Sequence, residues 1–335
     1  MRTNILISFS MLCFVFAANA GTLDKIKKKG HVSCGVSQGL AGFSAPDGLG
    51  VWNGIDVDIC RALAAAIFKD PKKVKFVSLS AQQRFTALQS GEIDILSRNT
   101  TNTLSRDTSL GLNFAPVIYY DGQGFMVRKK DGIKSAKDLS GASVCTQQGT
   151  TTELNLADYF RANRMKLKPV VFESNDEVTQ AFLKGRCDAL TTDASGLASE
   201  RSKVKNPNDY IILPEIISKE PLAPAVRHGD DKWLDVVTWT VNALLTAEEL
   251  GISSKNIDSF KKTRDPKIAR FIGKTIGNGK ALGLDEKWAY YIIKTVGNYS
   301  EIFERHVGKD SPLKLERGLN ALWNKGGIMY SSPMR

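Results

Sequence analysis

Two polar stretches and one aspartate carry the chemistry this sequence offers. Asn99-Thr100-Thr101-Asn102-Thr103-Leu104-Ser105-Arg106 crowds amides, hydroxyls and a guanidinium together. A carboxylate taken out of water needs such donors: a planar guanidinium that grips both oxygens, with hydroxyl or backbone groups beside it. Arg106 with Thr101 supplies that set. Gln148-Gly149-Thr150-Thr151-Thr152-Glu153 reads as a turn opening a helix. There Thr150, Thr151 and the backbone N–H groups would meet an anion with the positive end of the helix dipole behind them. It is not a phosphate loop, because the second glycine and the lysine are missing. Asp193 has the opposite sign, and a buried carboxylate requires a cationic partner, which a ligand ammonium would be. The Asn99–Arg106 stretch fits helix capping as well as binding, so its spelling alone leaves both open.

Enzymatic chemistry finds less to work with. Gly35-Val36-Ser37-Gln38-Gly39 spells a nucleophile elbow. An elbow passes directly into a helix, whereas Leu40 to Gly50 is a glycine- and proline-bearing loop. The three histidines, His31, His228 and His306, show no arrangement with a candidate acid in the sequence, and none is expected to work with one. No catalytic residue, metal or cofactor is expected.

The elements that must position these residues alternate between strand and helix, the pattern of an α/β protein. Strands are predicted over His31–Val36, Val74–Leu79 and Ile93–Leu96, and later over Ala142–Thr146, Val170–Glu173 and Cys187–Thr191. Ile55, Ile59, Leu63 and Ile67 share one helix face. Capping-box spellings stand at Ser135/Asp138 and Ser174/Glu177. One helix–turn–strand unit recurs: Phe85 to Asn99, and again Thr179 to Asp193. Each copy has glycine at the helix end (Gly91, Gly185), then aspartate within a short apolar strand, then polar residues past its carboxyl edge. In open parallel sheets that edge is where ligands bind. Asn99 and Asp193 therefore fall at equivalent places, one in each of two lobes facing across a cleft. Tyr119 to Gly124 and the proline-bearing Leu213 to Pro224 are the crossings between lobes. The expected division is a leader over 1–20, lobe one over 21–121 and 220–335, and lobe two over 122–219. The part after the Trp233–Glu249 helix packs on lobe one as an extension.

The first twenty residues read as an export signal: Arg2, an apolar run from Ile5 to Ala18, and a small-x-small site implying cleavage after Ala20. The run is shorter than the roughly 18 apolar residues of a membrane span. A secreted or periplasmic soluble protein is expected. Lys and Arg number 46 against 35 Asp and Glu, but they are scattered. Nucleic-acid binding needs a concentrated basic face, so it is not expected. Four cysteines follow the leader: Cys34, Cys60, Cys145 and Cys187. In an exported protein they favour disulfides, with three possible pairings.

Gly54-Ile55-Asp56-Val57-Asp58-Ile59-Cys60-Arg61-Ala62-Leu63-Ala64-Ala65-Ala66-Ile67 matches the signature of the polar amino-acid family of bacterial solute-binding proteins. The chain resembles that family throughout, and within it the general L-amino-acid and glutamate/glutamine/aspartate/asparagine binders. The helical segment from about Gly251 to Lys294 and the ending Gly318-Leu319-Asn320-Ala321-Leu322-Trp323 suggest that subgroup. The resemblance implies a two-lobe periplasmic binding protein fold of type II, with hinge crossovers and a helical C-terminal extension on lobe one. It further implies a monomer that binds polar or acidic L-amino acids for the membrane permease subunits of an ABC importer. By the same resemblance Arg106 clamps the ligand's α-carboxylate with Thr101 and Thr151. Asp193 takes the α-ammonium beside Asn99, and Arg84 reaches the ligand's side chain. Ser37 stands where strict dicarboxylate binders carry arginine, and Asn102 where many relatives carry an aromatic; both broaden specificity. A prephenate or arogenate dehydratase is similar to these binders and is the alternative.

Topology then selects among the disulfides. Cys34 lies on the first strand of lobe one and Cys60 on the helix expected to cover it. Cys145 and Cys187 lie on neighbouring strands of lobe two. Cys34–Cys60 and Cys145–Cys187 leave the cleft unlocked.

Overall fold

A computed structural model describes residues 21–335; the leader and the cleavage site after Ala20 lie outside the described residues. Two five-stranded sheets organise the chain. The first has the order Val74–Ser78, Val32–Val36, Ile95–Leu96, Ala225–Arg227, Leu112–Phe114. Its first three strands run parallel, and Ala225–Arg227 is antiparallel to both of its neighbours. The second has the order Lys168–Phe172, Ser143–Gln147, Ala189–Asp193, Gln123–Arg128, Tyr210–Ile212, again with three parallel strands and an antiparallel fourth. The two lobes thus share one plan. The chain enters the second through Tyr119–Asp121 and returns through Glu220–Leu222. These strands pair antiparallel, with Glu220 opposite Asp121.

The family signature forms the helix Ile55–Phe68, buried along most of its length. So many apolar positions in succession leave no polar face, as expected of a helix covered on both sides. The first sheet lies on one side, and the helices Asp231–Glu249 and Trp288–Thr295 on the other. Both capping boxes form, at Ser135/Asp138 and Ser174/Glu177. Cys34 is bonded to Cys60 and Cys145 to Cys187, so each bridge lies within one lobe.

One boundary differs in a way that matters. The last parallel strand of lobe two is Ala189–Asp193 rather than Cys187–Thr191. The antiparallel strand beside it continues pairing as far as Gln123 opposite Asp193. Asp193 is therefore the final residue of the strand and not a residue beyond it.

The C-terminal segment packs on lobe one and grips the crossing strand. Asn320 accepts from Tyr120 N (2.7 Å) and donates to Tyr120 O (3.1 Å), which satisfies that edge as another strand would. Tyr299 Oη donates to Ile118 O at 2.7 Å, and its neighbour Phe303 stacks on Tyr119. Arg317 reaches both carboxylate oxygens of buried Glu248 while lying over the Tyr299 and Phe303 rings.

Candidate functional site

The repeated unit builds the same scaffold twice. Gly91 and Gly185 turn the chain at φ 82° and 79°, a conformation that costs a residue with a Cβ. Their N–H groups close on Leu88 O and Phe182 O. Asp94 then accepts from Ser33 N and Asp188 from Ser143 N, both at 2.7 Å. The two aspartates return their own N–H groups to Ser33 O and Ser143 O. Each aspartate thus pins its strand to the strand beside it, which explains its place in an otherwise apolar run.

The ends of the two copies diverge. Asn99 adopts φ 33°, and its N–H is held by Asp56 Oδ2 at 2.8 Å. Burial pushes the Asp56 carboxyl up to about 7, against the pull of Asn99, Ser97 and Arg98. The Asn99 Oδ1 atom is buried without a partner among the described residues. Asp193 precedes the helix Ala194–Lys203, yet its side chain makes no capping bond there. That carboxylate is left for another partner.

The lobes touch across the cleft. Arg84 Nη2 donates to Gly149 O at 3.4 Å, and Lys203 Nζ to Gly39 O at 3.2 Å. Thr101 and Thr151 meet at 3.3 Å. Gly149 itself has φ 74°, and a Cβ there would stand 3.0 Å from the Gln82 side chain of the other lobe. Glycine at this turn is what lets the two surfaces approach.

Charges of both signs are buried where the lobes meet. Arg84, Arg98 and Arg106 come from lobe one; Asp121 and Glu220 from the crossing strands; Asp193 from lobe two. Burial holds the Arg84 guanidinium well below its ordinary range, with Arg98 and Arg106 adding repulsion. Burial likewise brings Arg106 and Arg98 down to about 10, with Asp193 opposing in both cases. Asp193 is pushed well up by burial and by the neighbouring Asp121 and Glu220, and Asp121 is pushed up by burial to about 6. Arg106 Nη1 donates to Thr101 O at 2.8 Å, and the Arg84 Nε is buried with no partner among the described residues. Both guanidiniums lie over the Phe85 ring.

Of the residues singled out from sequence, Arg84, Asn99, Thr101, Arg106, Thr151 and Asp193 come together at this junction. Thr150 is occupied in capping the helix Thr151–Ala162: it accepts from Glu153 N and donates to Gln147 O. Ser37 is buried in its own loop, donating to Ser44 O and accepting from Leu40 N. Asn102 is exposed, with its N–H on Pro221 O. No helix follows Ser37, as the elbow would require, but the expectation that no histidine meets an acid is corrected: His306 Nε2 lies 2.6 Å from Asp58 Oδ2, which Arg305 also holds.

Sequence reading missed Glu220. Its carboxylate is buried and accepts from Thr101, Thr151, Asn155 and Ser218 at 2.6–2.9 Å. Each threonine hydroxyl has one proton, and Glu220 takes both, so toward a ligand these hydroxyls present lone pairs. Asp121 and Arg98 were missed too. The available signal was that both lobe crossings carry an acid, Asp121 in one and Glu220 in the other.

Residues 32–257 match the model of the bacterial extracellular solute-binding proteins, family 3. The chain belongs to that family. This family 3 protein is 61% identical over 321 residues to the general L-amino acid-binding periplasmic protein AapJ of Rhizobium johnstonii, covering 95% of this chain and 94% of that one. It is 53% identical over 320 residues to the glutamate/glutamine/aspartate/asparagine-binding protein BztA of Rhodobacter capsulatus, covering 95% of each. A solved structure, an ABC transporter periplasmic binding protein from Brucella ovis with glutathione bound, is 59% identical. It superposes with a TM-score of 0.92 over 94% of this chain and 100% of that one. The two-lobe fold of this family 3 protein is therefore that of a periplasmic binding protein. Among the described residues no helix is long and apolar enough to cross a membrane.

Proposed function

We propose that this protein is the periplasmic binding component of an ABC importer and takes polar and acidic L-amino acids over a broad range. The observation that carries this reading is the buried opposition of Arg106 and Arg84 to Asp193 across the lobe junction. A zwitterion suits that arrangement: its carboxylate meets the arginines, its ammonium meets Asp193, and the net charge of the junction is unchanged. The lone pairs of Thr101 and Thr151 add acceptors for the ammonium. Carboxylate donors then come from the guanidiniums and from the N–H groups that open the helix Thr151–Ala162, which have no intrahelical partner. Arg84 faces the ligand's side chain and Asn99 stands with Asp193 at the ammonium, while Ser37, its hydrogen bonds taken by its own loop, and exposed Asn102 add no cation or ring to narrow the specificity. Lobe two, residues 122–219, closes on lobe one through the paired crossing strands.

The full-length likeness to the Rhizobium and Rhodobacter amino-acid-binding proteins supports this reading, and the dehydratase alternative gains no support from the comparisons. The ligand of the Brucella ovis structure begins with a γ-linked glutamyl group, whose free α-carboxylate and α-ammonium suit the same clamp. Charge-assisted contacts contribute about 1.5–3 kcal/mol each. Several of them, less ordering costs, support micromolar binding or better, about −8 kcal/mol. A thermal-shift screen of the mature protein against the twenty amino acids tests the reading, since ligand stabilises the closed form. Stabilisation by glutamate, glutamine, aspartate and asparagine is expected; no response to any amino acid rejects it.

A further inference from the structure

Aspartate is among the residue types that best cap a helix, because its carboxylate accepts an N–H of the first turn. Asp193 stands directly before the helix Ala194–Lys203 and does not do so. Other helices at the junction are capped in the ordinary way: Thr103 accepts from Arg106 N, and Thr150 from Glu153 N. The donor that Asp193 would take is already occupied.

Its occupant is Asp121, from the crossing strand. Gln123 lies opposite Asp193 at the end of the antiparallel pair, and Ala194 N donates to Gly122 O at 2.8 Å. The same register carried one step further brings Asp121 against Ser195. Ser195 N is the second N–H of the helix and one that a capping side chain takes. It is shared between Asp121 Oδ1 at 3.5 Å and Oδ2 at 3.4 Å, and Ser195 Oγ donates to Oδ2 as well. Gly122 N fixes the same carboxylate, donating to Oδ1 at 2.8 Å. The capping donor of this helix is thus satisfied from outside it.

We propose that Asp121 is a positioning residue for the ligand's ammonium group: it caps the helix Ala194–Lys203 in place of Asp193 and so leaves the Asp193 carboxylate to the ligand. The assignment rests on the reading that Asp193 holds the ammonium. Without Asp121, Asp193 turns to the vacant Ser195 N. The helix then keeps a cap while the cleft loses its anion, so affinity and stability are affected separately.

Titration calorimetry with L-glutamine and thermal melting of the ligand-free mature protein test this. Asp121→Ala weakens glutamine binding about tenfold or more. Its melting temperature stays within about 4 °C of the parent protein, because Asp193 takes over the cap. Asp121→Asn keeps a capping acceptor and recovers most of the lost affinity. Asp121→Val, whose side chain suits a strand, gives the same measurement should the alanine variant fail to fold. Unchanged affinity in Asp121→Ala, an asparagine variant as weak as the alanine one, or an affinity loss accompanied by a larger drop in melting temperature overturns the positioning role. Glutamine bound at native affinity by Asp193→Asn removes instead the reading of Asp193 beneath it, whatever Asp121 does.

Discussion

The hydroxyl oxygens of Thr101 and Thr151 stand 3.3 Å apart across the lobe boundary, and both donate to one oxygen of Glu220. Glu220 sits on the returning crossing strand, so a single carboxylate ties together lobe one, lobe two and the hinge. Any movement that parts Thr151 and Asn155 from Glu220 breaks their bonds to this carboxylate. Bonds to an ionised, buried acceptor contribute more than neutral ones.

Glu220→Ala removes the tie and leaves two threonines and Asn155 without their acceptor. Glutamine should dissociate about tenfold faster or more, with a smaller effect on association, because the closed form is what loses stability. Stopped-flow fluorescence separates the two rates, and an unchanged dissociation rate would show that Glu220 only supports the fold.

Asp193→Asn keeps the shape and removes the charge. The ligand ammonium is then buried without its counter-ion, a loss of about 3 kcal/mol or more, on the order of a hundredfold in affinity. Calorimetry returning wild-type affinity for glutamine would remove Asp193 from the site.

Asp56 gives the ligand-free protein a pH dependence of definite sign. Its folded carboxyl titrates near 7, above the ordinary value of 3.8. Between those values the folded chain holds a proton the unfolded chain has released, so stability falls as pH rises through that window. Asp121, raised to about 6, acts in the same direction over a narrower range. Asp58 acts oppositely and lower down. Although burial favours its neutral form, His306 and Arg305 bring it to about 2, so its contribution is lost only as pH falls from about 4 toward 2. Melting temperature followed from pH 4 to 7 should decline, and less steeply in Asp56→Asn. Equal slopes would count against a proton on Asp56.

Each disulfide closes a loop within its own lobe, with sequence separations of 26 and 42 residues. Replacing either pair by alanine should cost about 3 kcal/mol in urea unfolding. Glutamine affinity should stay within about threefold, since neither bridge spans the cleft. A variant that keeps its stability but loses binding would contradict this.

Much of this arrangement was legible because it is local. The αL glycine followed by an aspartate at Gly91/Asp94 and Gly185/Asp188 is a short-range pattern, and its recurrence disclosed the duplicated sheet plan. The capping boxes were legible for the same reason. The roles of Thr101 and Thr151 depend on Glu220, far away along the chain, and no periodicity encodes which hydroxyl proton goes to which acceptor. Ser37 shows the converse: spelling gave it a place in specificity, while its loop consumes its hydrogen bonds. The end of the strand at Asp193 was misread because its antiparallel partner, Gln123–Arg128, belongs to another part of the chain.

The grip of Asn320 on Tyr120 fastens the C-terminal segment to lobe one and to the root of the hinge, leaving lobe two unencumbered. The last residues therefore belong to the same rigid body as lobe one and the start of the crossing strand. A fluorophore near the C-terminus paired with one on the outer face of lobe two would read closure directly as a change in energy transfer. If lobe two closes on ligand as proposed, the anchored C-terminus gives such a sensor its fixed end.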